Sequence, residues 1–180
     1  MSEWIAKNAF LTRSEMENNA RIIYNYFTSK GWTKNAIAGM LGNIEVESTI
    51  NPGIWENLDP YGGGFGLVQW TPYTKYSNWA GSDWETNWNK QLERIIWELE
   101  NGEQYYSTTA YPESFREFTQ STKSAYYLGG AFLHNYERPA EPDAVDRGNR
   151  AEQWFEFLGG VPASPVLRVP VWLLFKLKGG

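Results

Sequence analysis

Apolar side chains recur at helical spacing over most of the chain. Between residues 14 and 30, Met16, Ala20, Ile23 and Phe27 fall at i, i+4, i+7 and i+11, one stripe of a 3.6-residue helix. Ser14 and Glu17 have the spacing of a capping box, and Gly31 supplies a stop. A second helix is predicted from Thr33, with Ile37, Met40, Leu41 and Ile44 on one side. It should end near Ser48, because Asn51-Pro52-Gly53 cannot continue it. Helical patterns return over about 85–101 (Leu92, Ile95, Ile96, Leu99), 113–120, 123–136 and 147–158 (Ala151, Trp154, Phe155, Leu158). From Asn51 to Pro72 the periodicity gives way to Pro, Gly, Asp and aromatics, including Tyr61-Gly62-Gly63-Gly64-Phe65-Gly66. This stretch predicts a loop with a short hairpin around Phe65–Trp70. The fold class is therefore mainly α (α+β): an N-terminal arm at 1–13, one domain at 14–160, and an appended C-terminal stretch at 161–180.

Composition narrows the chemistry. A chain of 180 residues accommodates one ordinary domain, and 42% apolar with 17% aromatic residues can fill its core with rings to spare. The formal charge of −5 argues against broad phosphate neutralisation, so no nucleic-acid partner is expected. Zero cysteines and one histidine remove thiol nucleophiles, Cys-ligated zinc and most metal clusters, and no metal or cofactor is expected. What survives is carboxylate chemistry, which needs neither when environments set different pKa values. The start, Met-Ser-Glu-Trp-Ile-Ala-Lys, lacks the basic and apolar regions of a secretory leader, and no stretch reaches ~18 apolar residues.

Residues 161–180 differ from the rest. They hold Pro162, Pro165 and Pro170, the cations Arg168, Lys176 and Lys178, no acid, and the run Val171-Trp172-Leu173-Leu174-Phe175. One reading is a linker end or a strand packed on the domain. The other is an extension lying in a membrane interface, its cations on anionic head groups.

Glu47 stands out among the carboxylates. A carboxyl in the last turn of a helix meets the negative pole of the macrodipole, and apolar neighbours such as Met40 and Ile44 would desolvate it. Both raise its pKa, as a general acid for glycoside cleavage requires. On a helical wheel Glu47 lies about 70° to one side of the apolar stripe and Glu45 about 90° to the other, using ~100° per residue. Periodicity barely separates the two.

The motifs add a resemblance. Glu47-Ser48 with Asn51-Pro52, then Gly66-Leu67-Val68-Gln69-Trp70-Thr71-Pro72, resembles goose-type lysozymes and soluble lytic transglycosylases, and most closely the lysozyme domains on phage tail proteins. Gly31-Trp32-Thr33-Lys34-Asn35-Ala36-Ile37, Gly39-Met40-Leu41-Gly42-Asn43 and Tyr136-Glu137-Arg138-Pro139-Ala140 also match that group, and the resemblance covers roughly residues 14–159. It implies a lysozyme-like fold with a small hairpin, Glu47 as general acid, Gln69 opposite it in a cleft, and a possible substrate role for Tyr136 and Glu137.

The implied function is a peptidoglycan-degrading glycosidase cutting β-1,4 bonds, by hydrolysis or by lytic transglycosylation. Bacterial peptidoglycan and phage tail proteins would be its partners. It would act as an endolysin or as part of the virion tail. Its rival is a catalytically inactive carbohydrate-binding or structural tail-tip protein.

The remaining candidates stay open. Asp59 is a candidate second carboxylate, with Glu56 as nearest rival, and is equally an Asp-Pro turn initiator. Glu45 is either exposed or in contact with substrate. Phe65 and Trp70, with Trp55 and Tyr61, are candidate sugar-stacking rings that could equally be core. The glycines at 62–64 and 66 lack the Lys-Ser/Thr of a phosphate loop and are read as backbone freedom. His134, without partners at ligand spacing, is read as structural. Glu137 and Arg138 are read as a charge pair bracing the cleft.

Overall fold

A computed structural model describes residues 3–160. Among these residues seven α-helices form: α1 (Arg13–Ser29), α2 (Lys34–Ser48), α3 (Thr74–Ala80), α4 (Asn89–Asn101), α5 (Phe115–Gln120), α6 (Ala125–Phe132) and α7 (Ala144–Gly159). A 3-10 turn spans Glu56–Leu58, and a π turn, Leu133–Glu137, extends α6.

α2 is the central helix, and every residue from Ala36 to Ile44 is buried. The sequence showed one apolar stripe because only large side chains mark a stripe. Burial on the remaining faces comes from small residues that let α6 and α7 approach. A Cβ on Gly42 would lie 2.6 Å from the Arg147 carbonyl oxygen and 2.7 Å from the Ala151 nitrogen, so α7 rests directly on the α2 backbone. Asn43, fully buried between the helices, donates to the carbonyls of Gly39 (3.0 Å) and Gly129 (2.9 Å).

Several boundaries differ from the periodicity. The capping box of α1 is Thr12 with Glu15: Glu15 donates its N–H to Thr12 Oγ1, and its carboxylate accepts the Thr12 N–H at 2.8 Å. The predicted Ser14 and Glu17 lie inside the helix, and Glu17 pairs with Arg13 at 3.0 Å. α3 was not anticipated, since only Tyr76 and Ala80 of its seven residues are buried, too few to write a period. The pattern over 123–136 breaks at Leu133, where α6 gives way to the π turn, closed by an Arg138 N–H to Leu133 carbonyl bond of 2.7 Å.

In place of a hairpin around Phe65–Trp70 stand two isolated antiparallel bridges, Trp55 with Phe65 and Phe65 with Trp70. No longer ladder forms among the described residues. The expectations for residues 161–180 fall outside the described residues.

The N-terminal arm is stitched to the end of α2. Asn51 donates to the carbonyls of Lys7 (2.6 Å) and Ala9 (2.7 Å), and Thr49 Oγ1 accepts the Leu11 N–H at 2.9 Å. Asn19 on α1 bridges Ile5 and the Ile50 carbonyl. No described helix is long and apolar enough to cross a membrane.

Candidate active site

The C-terminal turn of α2 opens onto a cleft of about 540 Å³. Its walls are Glu47, the Ile54–Leu58 segment, Val68, Gln69 and Thr71 of the following loop, Lys75 of α3, Phe10 of the arm, and Glu137 and Pro139 beyond α6. The Ser48 hydroxyl donates to the Leu67 carbonyl at 2.8 Å, binding the helix end to the loop that carries Gln69. Gln91 on α4 locks the same loop: its Oε1 accepts the Leu67 N–H at 2.8 Å and its amide nitrogen donates to the Pro52 carbonyl at 2.7 Å.

Three carboxyls, Glu47, Glu56 and Glu137, line this cleft, and the Arg147 guanidinium of α7 bonds the first of them. Glu47 is about one-fifth exposed and accepts a hydrogen bond from Arg147 Nη2 at 2.9 Å. Burial pushes its pKa above the ordinary carboxylate value, outweighing the opposing pull of Arg147, and the nearby negative Glu56 pushes the same way. Glu137 is displayed by the π turn with Oε1 buried and without a hydrogen-bond partner. Its desolvation, reinforced by the negative Glu47, raises its pKa well above the usual range. Glu56, also a wall of the cleft, is exposed, one oxygen accepting the Gly64 N–H at 2.8 Å. Both shifts run toward the protonated form, while Arg147 is itself nearly buried with its Nε unpartnered.

The sequence candidates separate on this geometry. Glu47, Gln69 and Glu137 line the cleft together with Glu56 and Trp55. Gln69 adopts a left-handed backbone (φ 49°), and its amide nitrogen donates to the Gly66 carbonyl at 2.9 Å, so its side chain also braces the loop. Asp59 lies outside the cleft walls. It is exposed, and its carbonyl accepts the Gly62 N–H at 3.1 Å, which is turn geometry. Gly64 and Gly66 sit against Thr71 and Gln91 side chains, where a Cβ would collide. His134 stacks on Tyr111 with centroids 5.3 Å apart, away from the cleft.

Three candidate contact rings are core instead. Phe65, Trp70 and Tyr136 are each at most 4% exposed. Trp70 Nε1 donates to the buried Glu98 at 2.9 Å, and the Tyr136 hydroxyl donates to the other oxygen of that carboxylate. Arg94 completes the set on Glu98 at 2.9 Å. These rings cannot touch a substrate in this conformation, but their bonds to Glu98 fix the two segments that carry Gln69 and Glu137. Nor is Glu45 exposed. Its side chain is 11% exposed, paired with Arg150 at 2.6 Å and accepting the Trp154 indole N–H at 2.7 Å, so it clamps α7 to α2 and points away from the cleft floor. Arg138 donates to the Asn135 carbonyl at 2.7 Å and shows no bond to Glu137, so the expected charge pair does not form as a contact.

Residues 18–158 match the phage tail lysozyme family. The chain belongs to that family. It is also similar to morphogenesis protein 1 of Bacillus phage B103, 54% identical over 159 residues, which are 86% of this chain and 43% of that protein. The chain thus spans less than half the length of this relative. Within the phage tail lysozyme match lie Glu47, Glu56, Gln69, Glu137 and Arg147, while Phe10 comes from the arm ahead of it. Sequence reasoning passed over Arg147 and Phe10. Arg147 sits on a polar stretch of α7, and only helix packing brings it to Glu47.

Proposed function

We propose that the chain is a muralytic glycosidase that cuts the β-1,4-linked glycan of bacterial peptidoglycan, with Glu47 as general acid. The observation that carries this reading is a partly buried carboxyl at a helix end, raised in pKa, opening into a cleft that a second carboxylate also lines, in a chain of the phage tail lysozyme family. Glu47 donates its proton to the departing sugar oxygen as the C1–O4 bond breaks and the oxocarbenium-like centre forms. Water then attacks C1 and loses its proton to a carboxylate. Glu56 is better placed for this than Asp59, since it lines the cleft and Asp59 does not.

Lytic transglycosylation uses the same acid but replaces water by the sugar's own 6-hydroxyl. Mass analysis of muropeptides released in ¹⁸O-water separates them: hydrolysis leaves labelled reducing ends, transglycosylation leaves 1,6-anhydro ends. Glu47→Gln should fold and lose wall lysis by at least ~10²-fold. Wall lysis by folded Glu47→Gln at the wild-type rate would overturn the assignment. Membership of the phage tail lysozyme family favours a place in the virion tail over a free endolysin. The relative's name, morphogenesis protein 1, supports a structural role without catalysis, which would leave walls intact in the same assay.

A further inference from the structure

We propose that Phe10, on the arm ahead of the family match, is a stacking platform for a sugar ring of the bound glycan, extending the cleft beyond the catalytic core. This rests on the muralytic reading above. Phe10 is 69% exposed, the most exposed large apolar side chain among the described residues, yet it is a wall of the cleft that holds Glu47.

The backbone around the ring is held on every side. Asn51 fixes Lys7 and Ala9, Thr49 fixes Leu11, and Asn8 donates to the Leu58 carbonyl (3.0 Å) while accepting the Trp55 N–H (3.1 Å). Leu11, the next residue, is buried, anchoring the arm to the core. An exposed phenyl on a mobile arm would be unremarkable, because isolated exposed apolar residues are common. A phenyl on a pinned backbone at a cleft wall leaves most of its apolar surface in water, which costs free energy that a bound apolar face would recover.

A second feature shares that mouth. Asn57 and Leu58 both have left-handed backbones (φ 52° and 59°), a conformation costing on the order of 1 kcal/mol each for non-glycine residues, and they turn Leu58 outward at 41% exposure. The same turn is bonded to the arm through Asn8. Strain is thus retained where it places an apolar side chain beside the Phe10 wall.

The chemistry of the occupant follows from the lining. A pyranose presents an apolar face of axial C–H groups and a polar rim of hydroxyl and acetamido groups. The cleft offers Phe10 and Leu58 for the face, and Glu56, Asn57, Gln69 and Lys75 for the rim. Of the rings first expected to stack, Phe65, Trp70 and Trp55 are buried, and the exposed Tyr61 packs on Trp55 and Tyr73 and is not a wall of the cleft, which leaves that role to the arm.

The test uses the full chain carrying Glu47→Gln, so that substrate survives, and measures binding of a β-1,4-linked N-acetylglucosamine hexamer and of solubilised peptidoglycan strands by tryptophan fluorescence. Adding Phe10→Ala should weaken binding by about tenfold, Phe10→Tyr or Phe10→Trp should stay within about twofold, and thermal stability should not fall. In the otherwise wild-type chain, Phe10→Ala should raise KM on purified walls while kcat holds. Unchanged glycan affinity in Phe10→Ala overturns the proposal, as does a loss of stability showing that the ring is covered by another segment of the protein. If the wild-type chain lyses walls but Phe10→Ala binds normally, only the platform fails. If the wild-type chain neither lyses walls nor binds glycan, the muralytic reading fails with it.

Discussion

Arg147 Nη2 lies 2.9 Å from Glu47 Oε1, a bond between residues one hundred positions apart that sets the charge balance of the cleft floor. The guanidinium favours the carboxylate form of Glu47, while burial and Glu56 favour the acid form, and burial wins. Asp146 lies 3.6 Å from Arg147 Nη1 and shares its charge. The acid is therefore held above the ordinary range yet kept from drifting further upward.

Replacing Arg147 by Met should move the alkaline limb of the pH–activity profile on purified walls to higher pH, because the guanidinium's pull toward the ionised form of Glu47 is gone. Arg147→Lys should hold the limb near its wild-type position. An unmoved limb in Arg147→Met would mean that a group other than Glu47 controls it.

Glu137→Gln should stabilise the fold increasingly as pH rises. The folded pKa of Glu137 is raised, so between the ordinary carboxylate value and that folded value the unfolded chain has lost the proton that the folded chain keeps, and wild-type stability falls with pH. The Gln variant has no proton to lose. Urea midpoints of both proteins from pH 4 to 8 check this, and the difference cancels the opposite contributions of Glu113 and Glu117, whose pKa values are lowered. Identical curves would show that Glu137 titrates as a solvated acid.

Glu98→Ala should cost roughly 3 kcal/mol, because it strands Trp70 Nε1, the Tyr136 hydroxyl and Arg94 in the core. At this chain length that corresponds to a Tm lower by about 6–12 °C. Activity per folded molecule should also fall, since the segments bearing Gln69 and Glu137 lose their common tie. Calorimetry with wall lysis at a temperature where the variant is folded separates the two effects.

Gly42→Ala should destabilise by about 1–3 kcal/mol, since the new methyl meets the backbone of α7 and not a side chain that can rotate away. It should also shift Arg147 from Glu47 and so reproduce the pH effect of Arg147→Met. Gly31→Ala, where nothing lies within 4 Å, is strained by its φ of 84° but should leave the pH profile alone.

Local sequence determined the helical class and most helix positions, because α1, α2, α4 and α7 each carry enough large apolar residues to write a 3.6-residue period. It also marked Glu47, through its place in the last turn of α2 and the motif around it. What sequence could not carry is anything decided by distance in the chain. The partners that tune Glu47 come from the 56–58 turn and from α7, and Glu45 turns from a rival acid into a clamp only because Arg150 and Trp154 reach it. Aromatic content could not say which rings face solvent: Trp70 and Tyr136 are drawn inward by one buried carboxylate on α4, while Phe10 is left outside by an arm pinned at Asn51 and Thr49. Periodicity records which side chains are apolar over a few turns. Burial, the pKa of a carboxyl and the wall of a cleft depend on what other segments bring to the same place, and only packing in three dimensions decides that.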